Sequence, residues 1–280
     1  MEEYLVLFSG IFFIAYLIPI RARKYFGMLG WTGMVLFLFA EIPYYFSINN
    51  FLYPLIAVLS VPFLAITVKY LNRENLRVMQ LTTAAAVAFL IYAPFAFTPL
   101  GDWLISVVVG QVIWLLNAFG YPVTLYADTW NTIIRNGFRV EIILACTGIQ
   151  AIAIMLGVAA AVKTTMKQKV AAFLLVVPTI YILNLVRNTA VIIAYTEQWF
   201  PYFTEIAGNG EFGYESFFWA HNVFAELLAL VLLVAIAYGL FRLIPELARF
   251  ATELFALYLD EIRAFTGRKK VPPAPPAEKE

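Results

Sequence analysis

The chain has 280 residues, of which 62% are apolar and 13% charged, with a formal net charge of +1. Soluble globular domains hold about 45–50% apolar and about 25% charged residues, so this is the composition of a membrane protein, and its near-neutral charge gives no electrostatic case for a nucleic-acid partner. The single cysteine, Cys146, rules out an intrachain disulfide and a multi-thiolate metal site, and the single histidine, His221, rules out a zinc centre built on several imidazoles. No metal and no cofactor are expected.

Apolar runs of about twenty residues cross a bilayer core of about 30 Å as helices. Seven such spans are expected, at 4–20, 26–46, 51–71, 78–97, 146–162, 170–195 and 219–241. The first has no basic residue before it and no small-residue cleavage site, so it reads as a span and not as a signal peptide. Lys and Arg gather in the connections: Arg21, Arg23 and Lys24; Lys69, Arg73 and Arg77; Lys163, Lys167 and Lys169; Arg242 and Arg249. The positive-inside rule assigns all of these to the cytoplasm. Segment 196–218 has Glu197, Glu205, Glu211 and Glu215 but no Lys or Arg, and belongs outside with the N-terminus.

An eighth apolar segment, 103–119, is settled by parity. If it crossed, the Arg73/Arg77 and Lys163–Lys169 loops would fall on opposite sides. Lying flat, with Asp102, Ser106, Gly110 and Asn117 as a polar stripe, it keeps every cluster in the cytoplasm. Eight spans with one atypical loop is the alternative. The stretch "DTWNTIIRNGFRVEIILAC" that follows reads as a hairpin outside the membrane. Trp130–Arg135 and Phe138–Ile143 are its strands, and Asn136-Gly137 forms a type I′ turn, which needs positive φ at both central positions.

Segment 245–265 is amphipathic, with Leu247, Phe250, Leu254, Leu257 and Tyr258 on one face and Glu246, Arg249, Glu253 and Asp260 elsewhere. It is expected to form a helix on the cytoplasmic surface. The Pro-rich residues 266–280 are expected to be a disordered cytoplasmic tail. The fold class is therefore an all-α polytopic membrane protein of about seven transmembrane helices. It carries an outer interfacial helix, a short extracytoplasmic β-hairpin and a cytoplasmic amphipathic C-terminal helix. Residues 1–265 form a single integral membrane domain, multi-pass in the cell membrane.

This topology brings three unusual residues to one depth. Cys146 opens its span from outside, and so does His221. Arg187 lies 18 residues beyond Lys169, about 27 Å along a helix that starts in the cytoplasm. The set has a chemical use. A thiol attacks as the thiolate, an imidazole relays its proton to a leaving amine, and a guanidinium presents fixed donors to a developing oxyanion. Taken singly, the cysteine is a small core residue and the histidine a satisfied interfacial contact. Arg187 has a bland reading too, a side chain that snorkels to the headgroups. A charge inside a span nonetheless costs about 2.5–3.5 kcal/mol on insertion scales and points to function or a buried partner.

The motifs "ACTGI" (145–149), "NLVRN" (184–188) and "FFWAHNV" (217–223), with "LLNAFGYPV" (115–123) ahead of them, resemble the exosortase/archaeosortase family of membrane cysteine transpeptidases. The likeness covers a core of about 100–230, in the family's order and on its helix ends. Thr147 stands where many exosortases have Ser, as in the archaeal branch. His221 stands where some members carry Arg, which leaves open whether the third residue carries a proton or only donates. The resemblance implies a membrane-anchored protein substrate with a C-terminal sorting signal of the Pro-Gly-Phe type before a transmembrane helix and a basic cluster. It also implies removal of that helix and transfer of the new C-terminus to a membrane lipid through a Cys146 thioester. The catalytic set is then Cys146, Arg187 and His221, working on the extracytoplasmic side.

Supporting residues are Asn184, which shares a face with Arg187 and either holds the guanidinium or makes a helix-packing hydrogen bond, Asn188, Thr147, Asn222, Glu226 near His221, and Glu41. Gly148 permits close helix approach. Hydrolysis, with water taking the thioester, stays open. So does a transporter or channel with Arg187 as an intramembrane anion site, although paired Gly/Pro breaks of the kind repeated transporter halves show are missing. A non-catalytic membrane scaffold is the third alternative.

Overall fold

Helix dominates because an apolar chain in a bilayer satisfies its backbone amides and carbonyls only within helices or closed barrels. The computed structural model describes residues 2–47 and 52–265. The expected tail at 266–280 lies outside these residues. In chain order the elements are α1 (Glu2–Tyr16), α2 (Arg23–Ala40), α3 (Ile42–Ser47), α4 (Leu52–Asn72), α5 (Leu76–Phe97), α6 (Leu100–Ala118), β1 (Thr124–Leu125), β2 (Thr132–Arg135) and β3 (Phe138–Glu141). A 3₁₀ turn (Leu144–Thr147), α7 (Ile149–Ala160), α8 (Met166–Thr196), α9 (Thr204–Ala207) and α10 (Tyr214–Phe217) follow. A π-helical stretch (Phe218–Ala225), α11 (Glu226–Leu243) and α12 (Pro245–Phe265) complete the fold.

Among the described residues, six helical segments are long and apolar enough to cross a membrane: Arg23–Phe46, Leu52–Asn72, Leu76–Phe97, Leu100–Ala118, Met166–Thr196 and Tyr214–Leu243. This set contains Leu100–Ala118, the segment read above as lying flat. Two of the expected spans form shorter apolar helices, Tyr4–Tyr16 and Ile149–Ala160. Leu52, Leu55, Val58 and Leu59 on α4 are each more than half exposed, as side chains facing lipid tails are.

The described residues fold as two compact units, one within Met1–Thr83 and Glu246–Glu280 and the other Ala84–Pro245. In the first, α1 packs on α2 and α2 on α4. Gly30 and Gly33 of α2 sit where a Cβ would come within 2.8 Å of the Phe13 ring and 2.9 Å of the Phe8 ring, so small residues set the α1–α2 spacing. The amphipathic C-terminal helix is present as α12, with Leu247 and Phe250 buried. The Tyr258 hydroxyl meets Thr67 Oγ1 at 2.6 Å, and Glu261 accepts from Lys69 Nζ and from the Tyr70 hydroxyl, both at 2.6 Å. Arg77 Nε pairs with Glu253 at 2.6 Å. Basic residues of one inter-helix cluster thus dock α12 through its acids.

In the second unit, Ile105, Val108, Val109, Val112 and Leu116 of α6 pack with Ile133, Ile142, Ile192 and Ile193 into one core. The hairpin forms in the expected register, Arg135 opposite Phe138 and Ile133 opposite Val140, with β1 added as a third antiparallel strand. Asn136 (φ 52°) and Gly137 (φ 83°) both take the left-handed conformation that the turn demands. The hairpin is clamped to the C-terminal end of α8. Arg135 Nη1 donates to Thr196 Oγ1 at 3.2 Å and pairs with Glu197, and the Asn136 amide donates to the Thr196 carbonyl at 3.1 Å. The chain then runs from β3 straight into the turn that holds Cys146.

Candidate active site

Cys146 does not open a long helix. It sits on the 3₁₀ turn, half-buried against the α6–hairpin core, and Gly148 (φ +81°) separates that turn from α7. Thr147 is buried, and its side chain is used by the turn itself. The hydroxyl donates to the Leu144 carbonyl at 2.7 Å and accepts the Ile149 amide at 3.4 Å. A Cβ at position 148 would stand 3.3 Å from the Asn184 Cβ, so glycine serves two needs, a left-handed backbone and close approach to α8.

That approach brings the Cys146 carbonyl onto α8. Asn184 and Asn188 both donate their side-chain amides to it, Asn188 at 2.7 Å. Asn188 is buried. The two asparagines are one helical turn apart and present donors in line, which is why a single carbonyl takes both. Asn184 therefore makes the helix-packing bond, and the guanidinium finds another partner. Arg187 Nη2 contacts His221 Nε2 at 3.3 Å.

A guanidinium only donates, so in this contact Nε2 accepts. His221 Nδ1 then carries the proton and donates to Asn222 Oδ1 at 2.8 Å. Asn222 is thus the residue that orients the imidazole, while Glu226 is exposed at the first position of α11. Phe217 stacks on the other side of the ring, with centroids 4.9 Å apart. His221 stands in the middle of the π-helical stretch, where one extra residue per turn shifts the register of the side chains that follow. Such segments recur at functional sites.

The 3₁₀ turn, α8 and the π-helix therefore meet around α8 residues 184–188. A cavity of about 420 Å³ opens beside this meeting point, bordered at its polar end by Gly148, Gln150, Asn184 and Arg187. Arg187 Nε is buried without a hydrogen-bond partner. Glu41 closes α2 in the first unit and does not belong to the unit that holds the other residues. Among the described residues no three His, Cys, Asp or Glu side chains are grouped as a metal site requires. Sequence reasoning placed Asn184 and Asn188 near the site but missed their common acceptor. Their i, i+4 spacing was the available signal.

The profile of the transmembrane exosortase family matches residues 1–217. Archaeosortase A of Haloferax volcanii is 32% identical over 242 residues, 78% of this chain and 79% of that protein. Archaeosortase A of Natronomonas pharaonis is 32% identical over 196 residues, 63% of this chain and 62% of that protein. No solved structure matches. The cysteine and arginine motifs fall inside the matched region, and His221 lies just beyond it. A multi-pass chain that matches over more than three quarters of its length belongs to the exosortase/archaeosortase family of membrane cysteine transpeptidases.

Proposed function

We propose that the chain cleaves a C-terminal sorting signal and passes the new C-terminus to a membrane lipid, with Cys146, Arg187 and His221 as the reacting groups. The observation that carries this reading is the convergence on five residues of α8. Asn184 and Asn188 hold the backbone of the only cysteine, while Arg187, between them, contacts the only histidine.

The Cys146 sulfur attacks the backbone carbonyl of the signal, Arg187 Nη2 turns from His221 Nε2 to the carbonyl oxygen, and the freed Nε2 takes the thiol proton. Arg187 stabilises the negative charge that develops on the carbonyl oxygen, a role for pre-placed donors worth about 2.7–4 kcal/mol in other acyl-transfer sites. The C–N bond then breaks, and the imidazolium returns the proton to the departing amine, which leaves with the transmembrane helix. A thioester remains. The amine of a lipid headgroup attacks it, the C–S bond breaks, an amide forms, and the released thiolate regains a proton. Confinement of acyl donor and lipid to one plane supplies much of the orientation benefit.

The signal is of the Pro-Gly-Phe type, ahead of a transmembrane helix and a basic cluster. Arg187 lies about 31 Å from the start of α8, close to the thickness of a bilayer core, so the site faces the extracytoplasmic surface when the Lys163–Lys169 loop is cytoplasmic. With Leu100–Ala118 lying flat, the N-terminus is then outside and the C-terminus inside.

The test is mass spectrometry of a substrate carrying such a signal, incubated in membranes with the wild type and with Cys146→Ala. The wild type should give a truncated protein bearing one lipid amine, and the variant should leave the substrate whole. Processing at equal rates by both proteins defeats the mechanism. A truncated protein ending in a free carboxylate would make water the acceptor.

A further inference from the structure

The cavity at Arg187 continues away from the reacting groups as a groove along α8, the π-helix and α11. Its lining runs from Ala194 to Ile180 on α8 and from Ala220 to Ile236 on the facing segment. Fourteen residues of helix are about 21 Å. A helix of that length and about 10–12 Å across fills about 1,600 Å³ or more, so a groove of about 420 Å³ does not enclose the transmembrane helix of a substrate.

An extended peptide is narrow enough, but it brings an amide and a carbonyl at every residue. Deeper than Asn184 the walls are Ile180, Leu183, Leu228, Leu232, Leu233 and Ile236, which offer those groups no partner. Each unsatisfied group in such a place costs several kcal/mol. A hydrocarbon chain meets neither obstacle. At the polar end, Asn184 is committed to the Cys146 carbonyl and Gln150 donates to the Tyr92 hydroxyl at 3.3 Å. Arg187 has one nitrogen on His221 and a buried Nε–H with no acceptor. A guanidinium with an unpartnered donor partway along an apolar groove is complementary to a phosphate with a chain running on from it. Trp199 and Phe200 line the outer end, the side-chain types found at headgroup level.

We infer that this groove holds one hydrocarbon chain of a phospholipid whose phosphate takes the Arg187 Nε–H. That would make it the seat of the acceptor on the lipid-transfer reading above, on which this step rests. The phosphate uses the Nε edge and leaves the Nη groups to the reacting carbonyl.

The probe is a phosphatidylethanolamine with a diazirine midway along one acyl chain and a terminal alkyne, placed in vesicles with the full chain. After irradiation, adducts are mapped by peptide mass spectrometry. Labelling should concentrate on 180–183 and 228–236, exceeding that on the lipid-facing α4 residues 55–59 by about tenfold. It should persist in Cys146→Ala, because binding needs no thiol. Unlabelled phosphatidylethanolamine should compete about tenfold better than a diacylglycerol, which lacks the phosphate. Ala229→Phe, which fills the groove, should remove the labelling, and undiminished groove labelling in the folded variant overturns the inference. Equal labelling of α4 and the groove in the wild type overturns the inference whatever the variant does. Groove labelling without any lipidated product upholds the groove and defeats the transfer reading. A lipidated product with an unlabelled groove does the reverse.

Discussion

Replacing Asn188 by alanine removes one of two donors from the part-buried Cys146 carbonyl. A neutral hydrogen bond contributes about 0.5–1.5 kcal/mol net, whereas a buried acceptor left with no partner costs about 1–3 kcal/mol. After a single substitution, either Asn184→Ala or Asn188→Ala, the Cys146 carbonyl keeps the other amide. The expected cost is about 1 kcal/mol, and if it falls on placement of the thiol, turnover drops about fivefold. The double variant orphans the carbonyl. Its cost should reach about 3 kcal/mol, a loss of about a hundredfold or more, and should exceed the sum of the singles by about 1 kcal/mol. On the proposed mechanism both asparagines position the thiol, so the assay pairs turnover of a signal-bearing substrate with the pH profile of Cys146 alkylation. Loosening of the turn should shift that profile, whereas simple destabilisation of the bundle would lower the unfolding temperature and leave it in place. A double variant whose losses merely add, with an unchanged alkylation profile, would refute the argument that the two amides act as a unit on the nucleophile's backbone.

Three further outcomes follow from the geometry. Gly148→Ala must place a Cβ at φ +81° and 3.3 Å from Asn184, and should lower stability by about 1–2 kcal/mol, read as a fall in the unfolding temperature in detergent. Arg135→Ala removes the clamp between hairpin and α8, and limited proteolysis of the hairpin should quicken about tenfold while the helices stay protected. Hydrogen bonds from Lys69 and Tyr70 hold the Glu261 carboxyl below the ordinary glutamate range. A depressed carboxylate stabilises the fold above its unfolded pKa, and that contribution is lost as pH falls through the folded value. Release of α12, followed by Tyr258 fluorescence, should therefore set in on the acid side of about pH 4, and Glu261→Gln should remove that pH dependence.

The legibility of the chain divides along physical lines. The Asn136-Gly137 turn was readable because only a few residue types tolerate positive φ at two successive positions. The α12 helix was readable because its apolar residues recur with helical period. The break at Gly148 was not, since a glycine beside a cysteine fits close packing as well as a left-handed backbone, and here it serves both. The polar stripe of Leu100–Ala118 is exposed as a surface helix requires, but it did not report that the neighbouring face, Ile105 to Leu116, forms the core of the second unit. The π-helical register at Phe218–Ala225 leaves no mark in hydrophobic periodicity over so few residues. Cys146, Arg187 and His221 were read to one depth because a charge costly to bury had little reason to be there otherwise; in the fold Arg187 contacts His221, while Cys146 meets α8 through its carbonyl.

The placement of Asn184, Arg187 and Asn188 on a single helix has a mechanical consequence. When the bundle breathes, the cation and the strand of backbone that bears the sulfur ride on the same rod, so tilting or sliding of that rod leaves their spacing nearly untouched. The imidazole rides on another rod. Relative motion of the two rods therefore falls on the Arg187–His221 contact and spares the hold on the Cys146 backbone.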